Sequence, residues 1–160
     1  MVHGQYNVRI NILLADDDAD ERYFFDEAVN ELPIATNLMM VNDGILLKDY
    51  LNGHLECLPD ILFLDINMPR KNGRECLIEI KGSLILKHLP VIIYSNAGSI
   101  EDTNSYYQCG AIGFLGKGNY PGLIQHINKA LSLGTETKAL SIQGIWKTTY
   151  AEYLQHHHHQ

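Results

Sequence analysis

Short apolar runs alternate along this chain with segments whose apolar positions recur every three to four residues. The runs consist almost entirely of apolar residues, which is typical of strands buried on both faces of a sheet. They cover residues 10–15, 38–41, 61–64, 91–94 and 112–115. The intervening segments have the periodicity of amphipathic helices. This alternation predicts an α/β domain with a parallel sheet between two layers of helices.

Capping and turn residues place the helices between these runs. Asp18 followed by Glu21 has the spacing of a capping box and predicts the start of the first helix, which ends before Pro33. The other helices are predicted to begin at Gly44 and at Gly73, and to cover residues 100–108 and 121–133. The fourth of these five helices is the most polar, and we expect it to be the least stable.

Right-handed crossovers leave few ways to order five parallel strands. We therefore predict a flavodoxin-like, doubly wound sheet of five strands in the order 2-1-3-4-5, surrounded by five helices. Residues 1–134 are predicted to form this domain, and residues 135–160 a C-terminal extension. The extension carries one helical stripe of apolar residues, which includes Trp146, and ends in a His-containing tail, His156 to His159. We interpret this tail as disordered or artificially added, and a metal-binding tract is the less favoured alternative.

Composition excludes several classes of protein. The 160 residues are 46% hydrophobic and 19% charged, as in a core-forming domain, and the net charge of −7 argues against a nucleic-acid-binding surface. No apolar stretch is long enough to span a membrane, and no secretory signal is recognisable. The three cysteines match no metal or redox spacing. We therefore expect a soluble, cytoplasmic protein.

Polar residues of matching chemistry follow four of the predicted strands. Asp16 and Asp17 come after the first strand, Asp65 after the third, Ser95 after the fourth and Lys117 after the fifth. The carboxyl ends of parallel strands meet at one edge of the sheet, where ligands bind. Neighbouring carboxylates raise each other's cost of ionisation, and a hard cation such as Mg²⁺ relieves it. Asp16, Asp17 and Ser95 could each be an ordinary turn residue, and Lys117 an exposed surface lysine. Their combination with Asp65 at neighbouring strand ends favours a site.

Asp65 is the candidate nucleophile of this site. A carboxylate can attack phosphorus and form an acyl phosphate. Such a transfer depends on positioning and on neutralisation of charge, which the metal, the ammonium group of Lys117 and the hydroxyl group of Ser95 would supply.

The chain resembles the receiver domain of two-component response regulators over residues 9–133, in particular the single-domain, chemotaxis-regulator-like members. Four segments carry the resemblance, and their ordered combination is specific. They are Ile12 to Asp18, Pro59 to Pro69 with Gly73, Pro90 to Ser95, and Gly110 to Lys117.

The resemblance implies that Asp65 accepts a phosphoryl group from a histidine kinase or a histidine phosphotransfer protein. It also implies that Mg²⁺ binds Asp17, Asp65 and the backbone carbonyl of Asn67, with Asp16 acting through water.

Further roles are implied for the last strands. Ser95 and Lys117 match the hydroxyl group and the lysine that contact the phosphoryl group, and Phe114 matches the aromatic residue of the conformational switch. In the implied switch, Ser95 moves toward the phosphoryl group, Phe114 turns inward, and the fourth helix, fifth strand and fifth helix present a changed surface to an unidentified effector protein.

Two positions depart from the pattern of the family. Gly118 follows the lysine where the family commonly has a proline after a cis peptide bond; because a cis bond without proline costs about 3–4 kcal/mol, we expect a trans bond here. Asn96 follows Ser95 where a small residue is usual. We expect Asn96 to narrow the access to Asp65 and to slow self-phosphorylation by small donors.

The preferred function is a phosphoacceptor signalling domain that acts by protein contact and is not an enzyme beyond Mg²⁺-dependent self-phosphorylation and autodephosphorylation. The alternative is a receiver-fold interaction module that works without phosphorylation. An aspartate-nucleophile phosphatase is less favoured because Asn67 stands where the second acid of such enzymes is usual. A flavodoxin-like nucleotide binder is less favoured still, because Asp16 to Asp18 replace the glycine- or serine-rich phosphate loop.

Overall fold

The structure, a computed structural model, describes residues 9–96, 100–118 and 120–140. Strands and helices alternate throughout these residues. In chain order they are β1 (Ile10–Ala15), α1 (Ala19–Asn30), β2 (Thr36–Val41), α2 (Gly44–Gly53), β3 (Ile61–Leu64), α3 (Gly73–Gly82), β4 (Val91–Ser95), α4 (Ile100–Gln108), β5 (Gly113–Gly116) and α5 (Tyr120–Leu140).

The five strands form one parallel sheet in the order β2-β1-β3-β4-β5, which confirms the predicted topology. The register aligns the carboxyl ends of the strands. Ala15 lies opposite both Val41 and Leu64, and Ser95 lies opposite Gly116. The residues that follow these positions therefore meet at one edge of the sheet.

Two hydrophobic layers cover the sheet. Alternate residues of β1, such as Ile12 and Leu14, pack with α1 and α5 on one face, while Leu13 and Ala15 pack with α2 and α3 on the other. Every residue of β3 and β4 is buried. Burial on both faces is the reason that these strands are continuous apolar runs in the sequence.

The N-cap of α1 is formed as predicted, but the capping box is altered. The carboxylate of Asp18 accepts hydrogen bonds from the backbone N–H groups of Asp20 and Glu21. The N–H of Asp18 itself donates to Asp16 Oδ1, while the carboxylate of Glu21 accepts a hydrogen bond from the hydroxyl group of Tyr94. A local bond to Asp16 and a tertiary contact with β4 therefore take the place of the Asp18–Glu21 capping box.

The largest difference from the predicted elements lies at the end of α5. The helix was expected to end at Leu133 but continues to Leu140. A glycine inside a helix costs only about 1 kcal/mol relative to alanine, so Gly134 does not suffice to end it. The stripe that includes Trp146 and the tail from His156 lie outside the described residues, and the division into residues 1–134 and 135–160 stays a prediction.

Candidate functional site

Backbone hydrogen bonds extend the sheet by one residue at its carboxyl edge and so position the candidate site. Asp16 N–H donates to the carbonyl of Val41 over 3.1 Å, and Asp65 N–H donates to the carbonyl of Ala15 over 2.9 Å. Lys117 N–H donates to the carbonyl of Ser95 over 3.0 Å. The side chains of the site therefore start from rigid backbone.

Three carboxylates come together at this edge. Asp16, Asp17 and Asp65 each offer an oxygen, and these three oxygens lie within 4.8 Å of one another. Asp16 and Asp65 are buried, whereas Asp17 is exposed. The cluster is thus closed toward the core and open toward solvent, where a cation with its own water ligands can enter.

The ammonium group of Lys117 lies against the two buried carboxylates. Its Nζ atom is 2.8 Å from Asp16 Oδ2 and 3.2 Å from Asp65 Oδ2, and its side chain is only 6% exposed. Among the described residues, Asp16 Oδ2 is a buried oxygen with no regular hydrogen bond, so we regard the contact of Asp16 with Lys117 as an ion pair. The ammonium group of Lys117 is therefore shared between the buried carboxylates of Asp16 and Asp65.

Two donors face the other oxygen of Asp65. The hydroxyl group of Ser95 and the backbone N–H of Asn67 each lie 3.3 Å from Asp65 Oδ1. Phe114 is half-buried and packs against the core layer formed with α2 and α3. The side chains of Asp16, Asp17, Asp65, Ser95 and Lys117 therefore come together at this edge with the backbone N–H of Asn67, and Phe114 lies on β5, three residues before Lys117.

Burial sets the electrostatics of the site. It raises the pKa of Asp65 to about 6, against the charge of Lys117 and with a contribution from the charge of Asp16. Burial also raises the pKa of Asp16, in opposition to its contact with Lys117. For Lys117, burial alone lowers the pKa, but the carboxylates of Asp16 and Asp65 outweigh it and raise the pKa overall.

The donor set fits a hard divalent cation. Three carboxylates lie close together, one ammonium group contacts two of them, and one oxygen of the buried Asp16 lacks a regular hydrogen bond among the described groups. Oxygen ligands of this kind are those that Mg²⁺ and Mn²⁺ prefer. A bound cation would compensate the excess negative charge.

The loop between β3 and α3 is held by contacts that the sequence pattern does not show. Arg70 donates two hydrogen bonds to Asp43 Oδ2, over 3.0 and 2.6 Å, and thereby ties this loop to the start of α2. Gly73 packs so closely that a Cβ atom there would lie 2.1 Å from the carbonyl oxygen of Asp65. Only glycine permits this approach, which explains the residue at this position.

Two more residues near the site were missed by sequence reasoning. Arg22 of α1 donates a hydrogen bond of 2.8 Å to the carbonyl of Asp16. Tyr94 of β4 lies beneath Lys117, with the Nζ atom 5.5 Å from the centre of its ring. Neither residue belongs to a local motif, and Tyr94 is indistinguishable in the sequence from an ordinary core residue of its strand.

The backbone after Lys117 agrees with the expectation for Gly118. The described residues contain no cis peptide bond, so the bond between Lys117 and Gly118 is trans. Gly118 has a φ of +93°, a conformation that favours glycine. Asn96 is exposed at the end of β4, and its predicted effect on access to Asp65 stays a prediction.

A sequence model of the response regulator receiver domain matches residues 12–128. The chain belongs to this family. It is therefore a phosphoacceptor domain of two-component signalling. Within the described residues, no helix combines the length and the apolar character that crossing a bilayer requires.

Individual relatives agree with this assignment. Response regulator Rcp1 of Synechocystis sp. is 28% identical over 137 residues, which are 82% of this chain and 92% of that protein. The phosphorylated cyanobacterial phytochrome response regulator RcpA superimposes with a TM-score of 0.72 at 27% identity, covering 81% of this chain and 96% of that one. The Mn²⁺-bound form of Rcp1 gives a TM-score of 0.67 at 27% identity, over 75% and 90% of the two chains.

Some relatives are enzymes, but the match covers only part of them. The protein-glutamate methylesterase/protein-glutamine glutaminase 3 of Vibrio cholerae is 29% identical over 74% of this chain, which is only 32% of that protein. The chain thus spans about a third of the length of this enzyme.

Proposed function

We propose that Asp65 is the phosphoacceptor and that the phosphoryl group comes from a histidine kinase or a histidine phosphotransfer protein. The observation that carries this proposal is the position of one buried carboxylate between two sets of donors. Lys117 faces its Oδ2 atom, while Ser95 and the N–H of Asn67 face its Oδ1 atom. Transfer of a phosphoryl group depends on such positioned charge more than on acid–base chemistry.

In the proposed reaction, a carboxylate oxygen of Asp65 attacks phosphorus. The P–N bond of the donor breaks, and its electron pair stays on the imidazole nitrogen, so the product is an acyl phosphate. Lys117 neutralises one oxygen of the transferred group as a compact point charge, and the hydroxyl group of Ser95 donates to another. These roles need only short movements, since both side chains already contact Asp65.

We assign the cation at this site to Mg²⁺, held by Asp17, Asp65 and the backbone carbonyl of Asn67, with Asp16 acting through water. When bound, the ion neutralises charge on the phosphoryl oxygens. The Mn²⁺-bound form of Rcp1 supports divalent binding in a relative, and the phosphorylated form of RcpA supports the acceptor role.

Phosphorylation is proposed to act through Ser95 and Phe114, which change the surface of α4, β5 and α5 for an effector protein. Apart from self-phosphorylation and autodephosphorylation we assign no enzyme activity. The alternative is a module that works without phosphorylation, and it predicts that wild type gains no phosphoryl group in the experiment described next. The cysteines Cys57, Cys76 and Cys109 are unpaired, which agrees with a reducing, cytoplasmic setting.

Incubation with acetyl phosphate and Mg²⁺ is expected to add one phosphoryl group to the protein, located on Asp65 by peptide mass spectrometry. The Asp65→Asn variant should gain none, because an amide is not a nucleophile of this kind. Asp49→Asn is the matched control, since it removes an exposed carboxylate on α2 outside the site. Equal labelling of wild type and Asp65→Asn, or no labelling of wild type by acetyl phosphate and by histidine kinases, would refute the proposal.

Binding of Mg²⁺ is expected to raise the free energy of unfolding at pH 8 by about 2.7 kcal/mol at a Mg²⁺ concentration 100 times its Kd. The gain should shrink as the pH falls below 6, because protons compete for the carboxylate of Asp65, whose pKa is about 6. Thermal unfolding with and without Mg²⁺ at pH 8 and pH 5 measures both effects.

The variant Asp17→Asn should lose most of the Mg²⁺ response, whereas Asp20→Asn, which removes an exposed carboxylate in the first turn of α1, should keep it. An equal response to Mg²⁺ in both variants would show that the ion binds elsewhere.

A further inference from the structure

Tyr94 is a buried aromatic residue directly beneath the candidate site. It is the penultimate residue of β4, next to Ser95, and is only 1% exposed. Its ring packs edge-on against Phe25 of α1, with ring centres 5.3 Å apart, and the Nζ atom of Lys117 lies over the ring, 5.5 Å from its centre. A cation within about 6 Å of a ring centre is attracted by the negative face of the ring.

The ring is held in this orientation by a second bond. The hydroxyl group of Tyr94 donates to Glu21 Oε2 over 3.1 Å, and Glu21 lies in the first turn of α1, which starts directly after the acidic residues of the site. The tyrosine is therefore attached at both ends, to β4 through its backbone and to α1 through its hydroxyl group. A side chain fixed in this way is a rigid support for a neighbouring cation.

The backbone fixes only where the side chain of Lys117 begins, through the hydrogen bond from its N–H to the carbonyl of Ser95. The position of Nζ, at the far end of this long side chain, depends on the groups that contact it. Of the groups that contact Nζ, the carboxylate of Asp65 is the one that the proposed reaction converts into an acyl phosphate, whereas the ring of Tyr94 does not change.

We propose that Tyr94 is a positioning residue for the phosphoryl transfer, whose ring holds Lys117 beside Asp65 while its hydroxyl group is anchored by Glu21. This inference rests on the proposed function of Asp65 and Lys117. It adds to that function a residue of the hydrophobic core that contacts Lys117 but is assigned no contact with the phosphoryl group or with Mg²⁺.

The test is the rate of Asp65 phosphorylation by acetyl phosphate in variants of Tyr94. Tyr94→Leu removes the ring and should slow the reaction about tenfold, which corresponds to about 1.4 kcal/mol. Tyr94→Phe keeps the ring and loses only the anchor, so we expect a loss of about threefold. In a Lys117→Met background, neither change should slow the residual reaction further, because the residue on which Tyr94 acts is gone.

A second measurement covers the case in which Tyr94→Leu does not fold. Limited labelling of amines, followed by peptide mass spectrometry, reports how accessible Lys117 is relative to the exposed Lys48. In Tyr94→Phe and in Glu21→Met, which removes the acceptor of the tyrosine hydroxyl group, we expect Lys117 to be labelled severalfold faster than in wild type, with Lys48 unchanged.

The outcomes separate the two proposals. If wild type is phosphorylated on Asp65 but the Tyr94 variants react at the wild-type rate, or if their loss persists without Lys117, the role of Tyr94 is refuted and the proposed function stands. Unchanged labelling of Lys117 in both Tyr94→Phe and Glu21→Met refutes it as well. If wild type is not phosphorylated on Asp65 by any donor, the proposed function itself fails.

Discussion

Replacement of Lys117 by methionine is expected to lower the free energy of unfolding by about 3–5 kcal/mol at pH 8 without divalent cations. The lysine is the ion-pair partner of both Asp16 and Asp65, and all three side chains are buried. Its removal leaves two carboxylates close together in a region of low polarity. Urea unfolding of the variant and of wild type at pH 8 measures the loss.

Acid should reduce this loss, because Asp65, whose pKa burial already raises to about 6, can take up a proton and so remove one of the two charges. The double variant Lys117→Met with Asp16→Asn should regain part of the stability at pH 8, since one unpaired anion then remains. Lys48→Met, at an exposed position on α2, serves as the control. A loss below about 1 kcal/mol at pH 8, the range typical of exposed ion pairs, would show that Lys117 is not engaged as the structure has it.

Asp65→Asn is expected to change stability in the opposite direction, by up to about 3 kcal/mol at pH 8 without metal. The pKa of Asp65 rises from 3.8 to about 6 on folding, so the folded protein binds this proton more tightly than the unfolded chain does. The stability that this carboxyl group contributes is therefore complete below about pH 4 and is lost as the pH rises through about 6. Asparagine has a similar shape and carries no charge, so it avoids the loss.

Urea unfolding of Asp65→Asn and wild type at several pH values between 4 and 8 tests this sign. The advantage of the variant should grow between pH 4 and pH 6, stay constant above, and shrink when Mg²⁺ neutralises the wild-type site. Asp49→Asn should match wild type throughout. If Asp65→Asn were less stable than wild type at pH 8, the claim that the ionised, buried carboxylate of Asp65 destabilises the folded protein would be contradicted.

Together the two predictions describe a site whose charges are arranged for chemistry at a cost in stability. Lys117 makes two buried carboxylates tolerable, and Asp65 remains destabilising even in its presence. This is the usual compromise of functional sites, where groups are kept in surroundings that a stability-optimised core would avoid.

Most of the fold could be predicted because its signal is local. Strands buried on both faces require continuous apolar runs, and the right-handedness of the connections between parallel strands then restricts the strand order. The end of α5 was predicted wrongly, at Leu133 instead of Leu140, because the propensity of a single glycine is a weak signal against a continuing helix.

The members of the candidate site could be named for the same reason. Each follows a recognisable strand, and parallel strands bring their carboxyl ends to a common edge. Tyr94 and Arg22 could not be named, because their roles depend on how α1 packs against β1 and β4. Glu21 shows most clearly where prediction from local sequence fails. Its spacing from Asp18 predicts a capping box, but in the folded chain its carboxylate accepts a hydrogen bond from Tyr94, 73 positions away.

The order of apolar and polar residues thus determined the sheet, its topology and which side chains reach its carboxyl edge, since each depends on periodicity and chain connectivity. Only the tertiary structure decided the distances between these side chains and the shifts of their pKa values. The pKa of Asp65 near 6, the sharing of Lys117 between two carboxylates and the support of Lys117 by Tyr94 all arise from burial and from contacts between residues far apart in the chain. Such effects depend on the solvent that folding excludes, and no local pattern of residues encodes them.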